Sequence, residues 1–188
     1  MDKLTLIQQF ITFPSDYQLT EQTNEKRNNR KVDIFRYQKN GEFTLNGPRI
    51  IAIFQKDTLV SLKNFSSLPT GTLFDFPRAK TFGEELFEKI NPTYAKHLSF
   101  LRIEKQQRSY LSEGTAVTFP VEWVKFAHSN GSYNWVTLGG DGTLIEMEID
   151  SRWDYFRGRR KTEMWDNDDW VLAHEGNGPQ LPAPQALA

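Results

Sequence analysis

The sequence predicts an α+β protein, with helices packed on antiparallel sheets as two similar units followed by a short C-terminal helix. Three observations lead there. Thr58-Leu59-Val60 and Thr143-Leu144-Ile145 open two strands of the same pattern, and each closes a stretch that runs helix first and strands after. Each helix is followed by a proline (Pro14, Pro92) with a tyrosine just beyond (Tyr17, Tyr94). Hydrophobic residues make up 38% of the 188, with fourteen Phe and five Trp, so a shared core can be filled.

Leu4, Ile7, Phe10 and Ile11 recur at helical spacing, so residues 3–12 read as an amphipathic helix ended at Phe13-Pro14. Residues 21–30 are polar and charged throughout and read as a mobile surface connection. From Lys31 to Tyr37, Val32 and Ile34 alternate with Asp33, Phe35 and Tyr37, a strand with two usable faces. Asn40-Gly41 and Asn46-Gly47-Pro48 mark turns. Ile50–Phe54 and Leu59–Leu62 then make a hairpin across Lys56-Asp57.

Pro69, Gly71 and Pro77 make 65–79 a linker by composition. Thr81-x-x-Glu84 predicts a capping box, and Phe82, Leu86, Phe87 and Ile90 supply the apolar stripe of the helix it opens. Asn91-Pro92 ends it, because the residue before proline is pushed out of the helical region. Strands follow at 98–103 and 115–127, the second bent at Pro120, and a hairpin joins 133–138 to 143–149 around Gly139-Gly140-Asp141-Gly142. Asp166 is placed to cap a last short helix through Trp170 and Leu172, and 175–188 has little to bury. The expected organisation is a first unit over 1–64, a linker over 65–79, a second unit with the C-terminal helix over 80–174, and a flexible tail over 175–188.

The helix at Ala79 to Tyr94, the hairpin at Tyr133 to Ile149 and the first-unit strands from Val32 to Leu62 resemble the PepSY-type module, which is cystatin-like in laying one helix across a curved sheet. Trp153, Gly158-Arg159, Thr162-Glu163, Trp165 and Asp169-Trp170 resemble short proteins of lactic-acid bacteria and other Firmicutes. The resemblance implies a duplicated module without a catalytic signature. Because PepSY modules also occur in propeptides of thermolysin-type metalloproteases, it carries a peptidase-inhibitor or modulator role as one alternative.

Twenty-three Lys plus Arg against twenty-four Asp plus Glu leave no global field to gather nucleic acid or an anionic membrane, and neither is an expected partner. The absence of cysteine removes disulfides, thiolate nucleophiles, zinc ribbons and iron–sulfur clusters. The N-terminus has no long apolar region of the signal-peptide kind, and no run approaches a bilayer span, so a cytoplasmic protein is expected. His97, His128 and His174 stand in no metal-binding spacing, and Asp166-Asn167-Asp168-Asp169 lacks the glycine and final glutamate of a calcium loop. No nucleophile elbow or phosphate loop is present. No cofactor, metal or catalytic set is expected.

What remains is a binding surface. Arg157-Gly158-Arg159-Arg160-Lys161 is the densest basic run, yet Asp150, Asp154 and Glu163 stand close enough to cancel much of its field. Large aromatics anchor partners, and five Trp exceed what a core of this size requires. The expectation is a non-enzymatic interaction or ligand-binding protein, monomeric or a weak homodimer. An unidentified protein or peptide is its expected partner. Trp135, Trp153, Trp165 and Arg159 would be its contacts, on the concave sheet face or in a groove between units. The alternative from another class is a small enzyme in which His128 and a carboxylate share a pocket.

Overall fold

The protein, described here by a computed structural model over residues 2–188, lays eight strands into one antiparallel sheet of order β1-β2-β3-β4-β8-β7-β6-β5. The first meander is β1 (Tyr17–Arg27), β2 (Arg30–Lys39), β3 (Arg49–Gln55) and β4 (Thr58–Phe65). The second is β5 (Leu98–Ser112), β6 (Thr115–His128), β7 (Tyr133–Leu138) and β8 (Leu144–Ser151). A helix precedes each, α1 (Lys3–Ile7) and α2 (Phe76–Ile90), and α3 (Pro92–Ala95) follows α2 directly. The α+β class is therefore as the sequence predicts. The two meanders meet where β4 pairs with β8, through Ser61↔Glu148, Leu62↔Met147 and Lys63↔Glu146.

Each meander carries two register shifts at matching places, and the second carries one more, between Tyr133 and Trp135. Thr20 and Leu101, each the fourth residue of its edge strand, have no partner of their own across the ladder. Val60 and Ile145, each two residues past the threonine of the Thr-Leu-β-branched pattern, are likewise passed over. An extra residue on one side bends a strand and strengthens its twist, so both halves curl in the same sense.

One face of the sheet is covered by the helices. Ile7 and Ile11 from the N-terminal helix region and Ala79, Leu86 and Phe87 from α2 pack on Tyr37, Ile50, Ala52, Phe54, Leu62, Val124, Phe126, Val136 and Met147. Alternation along each strand sends these side chains to a single face. Phe87 meets Phe126 edge to face at 5.3 Å, and a Cβ at Gly83 would stand only 3.1 Å from that ring, so α2 lies close against β6. Burying one such phenyl group contributes about 2–3 kcal/mol.

Local signals explain the ends of elements, with several corrections. α1 stops at Ile7, short of residue 12, and irregular turns carry Ile11 into the core. Residues 21–30 lie mostly in β1, a polar edge strand whose charges discourage further pairing. Asn28 and Asn29 both take positive φ and close β1 onto β2, as a two-residue hairpin turn requires. α2 begins at Phe76 inside the expected linker, capped by Asp75, which accepts from the Arg78 amide; Thr81 lies within the helix. Asn91 ends α2 and caps α3.

The chain after β8 crosses the face opposite the helices. It includes the short ribbon β9 (Trp153–Asp154) with β10 (Arg159–Arg160) and the helix α4 (Asp168–His174). Asn167, rather than Asp166, caps α4 by accepting from the Trp170 amide. Residues 175–188, expected to be a flexible tail, are tied back to the body. Arg159 donates to the carbonyls of Gln185 (2.8 Å) and Leu181 (2.7 Å), the Arg160 amide donates to Pro184, and Ala186 is buried. No helix among the described residues is long and apolar enough to cross a membrane.

Candidate binding cavity on the concave sheet face

The sheet curls toward the face that the helices leave free. Arg27 of β1 reaches β8, donating to Glu148 at 2.8 Å and to the Ile149 carbonyl at 2.5 Å. Tyr110 of β5 reaches β4, packing with Phe65, Phe119, Val121 and Ile145, while the Leu111 amide donates to the Asn46 carbonyl at 2.8 Å. The Arg27–Glu148 and Tyr110–Phe65 contacts each join strands four places apart in the sheet order, which only strong curvature permits.

This concave face is packed over the middle of the first meander, with a hollow of about 780 Å³ beside Trp165 at the far end of β1–β2, and is open over the second. Over the first, Trp165 packs on Val32, Ile34, Ile51, Ile53 and Val60. The Asp168 carboxylate takes both Arg36 guanidinium nitrogens at 2.8 and 2.9 Å, with Arg49 3.5 Å away. Trp170 is buried and stands edge to face with Trp165 at 4.9 Å. Over the second meander lies a cavity of about 850 Å³. Its walls are the bent β5–β6 hairpin on one side and the segment from Trp153 to Gln185 on the other.

The cavity floor alternates aromatic and charged groups. Trp123 and Trp135 approach at 5.9 Å between ring centres. The Lys125 ammonium stands 3.9 Å from the Tyr133 ring centre and 5.0 Å from that of Trp123. Toward the β4–β8 seam, Lys63 bridges Asp166 (2.9 Å) and Glu146 (3.8 Å), and Arg108 holds Glu146 at 2.7 Å. Thr137 donates to the same carboxylate at 2.9 Å. Arg160 pairs with Glu148, and its guanidinium lies 5.4 Å from the Trp135 ring centre. Arg102 pairs with Glu104 at 2.6 Å.

Six cations and five carboxylates line the cavity. Five of the cations have a carboxylate partner: Arg49, Lys63, Arg102, Arg108 and Arg160. Lys125 forms no ion pair with any described residue; its ammonium lies against the Tyr133 and Trp123 rings, with Arg102 across the ladder from it. Burial lowers its pKa, Arg102 lowers it further, and Glu104 offsets part of the effect. In the ionic floor the balance differs. Burial alone would raise the Asp166 carboxyl, but Lys63 and Arg160 outweigh it and bring it down to about 2. Glu146 is also lowered, because Arg108 and Lys63 overcome its burial.

Of the residues expected to bind, Trp135 and Trp153 line this cavity. Trp165 lies over the first meander instead, donating its indole N–H to the Lys26 carbonyl, and Arg159 holds the chain end. His128 does not line the cavity: it stacks on Tyr94 at 4.0 Å, with Nδ1 accepting from the Asn130 amide. Burial lowers its pKa, with His97 adding to the effect. Trp123, Lys125, Tyr133 and Arg160 also line it and are not among the contacts that the sequence suggests. The usable signal was the alternation Val121, Trp123, Lys125, which places all three on one face of β6. Among the described residues no group of three or more potential metal ligands comes together.

No family model matches this chain, and neither curated proteins nor solved structures yield a match.

Proposed function

We propose that the protein is a non-enzymatic ligand-binding protein whose site is the cavity over the second meander. The observation that carries this reading is the contrast between the two halves of the concave face. The C-terminal segment covers the apolar cluster of the first with Trp165 and holds its Arg36 with Asp168, and leaves the second open, with Trp123, Tyr133, Trp135 and Trp153 along it. A volume of about 850 Å³ falls in the range of small-ligand sites, and the lining sets six aromatic side chains among eleven charged ones, so it offers ring surface beside fixed charge. The reading takes the protein to act in the cytoplasm as a monomer or weak homodimer.

The same proposal treats the halves as copies of one helix-plus-meander unit of the PepSY/cystatin-like kind. Supporting it are the paired register shifts at Thr20 with Leu101 and at Val60 with Ile145. The β4–β8 pairing adds support, since Leu62 and Met147 stand at corresponding positions of the repeated pattern and face each other.

The five indole N–H signals of an 15N-labelled sample report on the site directly. In a screen of small aromatic and acidic compounds, a true ligand shifts Trp123, Trp135 and Trp153 and leaves Trp165 and Trp170 in place. If compounds that bind shift only the latter pair, or if Trp135→Ala leaves every affinity unchanged, the cavity is not the site.

A further inference from the structure

The first meander shows what the concave face holds when it is filled. In β1–β2 the residue after the register shift pairs as Glu21↔Arg36, and in β5–β6 it pairs as Arg102↔Lys125. On the next strand Arg36 faces Ile51 and Lys125 faces Trp135. Two residues back along the central strands lie Ile34 and Trp123. Arg36, Ile34 and Ile51 thus correspond to Lys125, Trp123 and Trp135, cation for cation and apolar group for apolar group.

The first set is occupied by the chain itself. Asp168 places both carboxylate oxygens on Arg36, and the Trp165 ring covers Ile34 and Ile51. The second set has no such cover. Lys125 faces the cavity without a carboxylate, and Trp123 and Trp135 present ring surface beside it. A cation held against rings gains from a carboxylate, because a charge-assisted hydrogen bond in a partly desolvated site is about twice as strong as a neutral one. The flanking indoles suit a flat ring on the same ligand.

We propose that the cavity takes a ligand carrying a carboxylate beside a flat ring, the carboxylate on the Lys125 ammonium and the ring against Trp123 and Trp135. This rests on the cavity being the binding site. Lys125 is the specificity-determining residue, and it repeats in the open half the role Arg36 plays toward Asp168 in the closed one.

The test compares 2-naphthoate with 2-naphthol at pH 7, which share a ring system and differ in charge, by titration against the indole signals. The expected result is binding of 2-naphthoate at least about tenfold tighter than 2-naphthol, the size of one charge-assisted contact. Lys125→Met should abolish that preference while 2-naphthol binding persists, and Lys125→Arg should restore it. A blocked peptide spanning residues 165–170 separates two sources of the same chemistry. Lys125-dependent binding of the peptide alone assigns the carboxylate to a protein side chain, and of 2-naphthoate alone to a free acid.

Equal affinity for the two naphthalenes, or a preference that survives Lys125→Met, overturns the carboxylate inference while leaving the cavity as a binding site. If neither compound nor the peptide moves Trp123, Trp135 or Trp153, the cavity reading falls and this inference falls with it.

Discussion

Lys63 of β4 stands directly across the ladder from Glu146 of β8, and its ammonium lies 3.8 Å from that carboxylate and 2.9 Å from Asp166. One side chain therefore ties together the first meander, the second meander and the C-terminal segment. It is more than nine-tenths buried, so its partners cannot turn to water if it is removed. Lys63→Met should cost about 3 kcal/mol, because breaking a buried pair from one side leaves the opposite charge uncompensated. Combining it with Asp166→Leu should cost less than the sum of the single changes by more than about 1 kcal/mol. Urea unfolding of the four proteins measures both quantities. Additive costs would mean that the pair does not act as a unit.

Acid should loosen the same seam in a defined window. The Asp166 carboxyl is held at about 2, against an ordinary value of 3.8. A carboxylate with a lowered pKa in the folded state contributes stability that is fully present above its unfolded value and is lost as the pH falls through its folded one. The loss attached to Asp166 should therefore develop between about pH 4 and pH 2. Glu146 and Asp168, lowered by Arg108 with Lys63 and by Arg36 with Arg49 respectively, add to it. In Lys63→Met, burial of Asp166 has less to oppose it, so its folded value moves up toward the unfolded one and the acid loss attached to it should shrink. Thermal melts across pH 2–6 test this, and an acid loss of equal size in the variant would contradict it.

The opposite end of the scale has its own marker. Tyr17 donates its hydroxyl to the Ser66 carbonyl at 3.1 Å, and burial, with Asp16 adding to it, pushes the phenol up to about 12 from 10.0. A pKa raised by folding gives stability that is complete below the unfolded value and lost as the pH rises toward the folded one. Tyr17→Phe should therefore flatten the decline in stability between pH 10 and 12. The ultraviolet absorbance of phenolate should show one fewer late-titrating tyrosine.

Much of the first-order architecture is legible locally. β3, β4 and β7 follow from β-branched and aromatic runs between turn residues, and the α2 stripe follows from Phe82, Leu86, Phe87 and Ile90. β1 escapes, because an edge strand with polar side chains on both faces carries no alternation to read. The filled and open halves of the concave face also escape. They depend on Arg36 meeting Asp168 and on Tyr110 meeting Phe65, contacts set by sheet curvature and strand order rather than by any local period. Trp135 could be named as a contact because indoles are informative anywhere. Lys125 could not, because only its neighbours distinguish it from other lysines.

Gly140 sits where the chain before α2 presses on the β7–β8 turn. A Cβ there would come within 2.1 Å of the Thr70 carbonyl oxygen and 2.8 Å of that of Gly71, and both are backbone atoms that cannot rotate away. Asp141 pins the same stretch, its amide donating to the Thr72 carbonyl at 2.8 Å. Gly140→Ala should destabilise the protein by roughly 2–4 kcal/mol, a size reserved for overpacking and broken backbone contacts. Gly131→Ala, where a Cβ meets nothing within 4 Å, pays only for its positive φ of 83° and should cost about 1 kcal/mol. Chemical denaturation of the pair gives the comparison. Equal costs would show that the linker does not lie tightly on the turn.

Arg159 provides the last case, because the sequence suggests a binding contact and the structure makes it a clasp. Its Nε donates to the Gln185 carbonyl and its Nη2 to the Leu181 carbonyl, which brings Ala186 into a buried position beside the Met164 sulfur, 3.4 Å from the Ala186 amide. These bonds hold the chain end along the cavity wall, where Pro184 and Gln185 line it. Arg159→Ala should lower the melting transition by several degrees at most, since two partly solvated hydrogen bonds contribute about 1 kcal/mol each at most in net terms. Hydrogen exchange should nonetheless rise selectively at Gln185, Ala186 and Ala188, whose amides are otherwise bonded. Exchange that rises equally across β8 would show that Arg159 supports the sheet as a whole, and unchanged exchange at Ala186 would show that Arg159 does not hold the chain end.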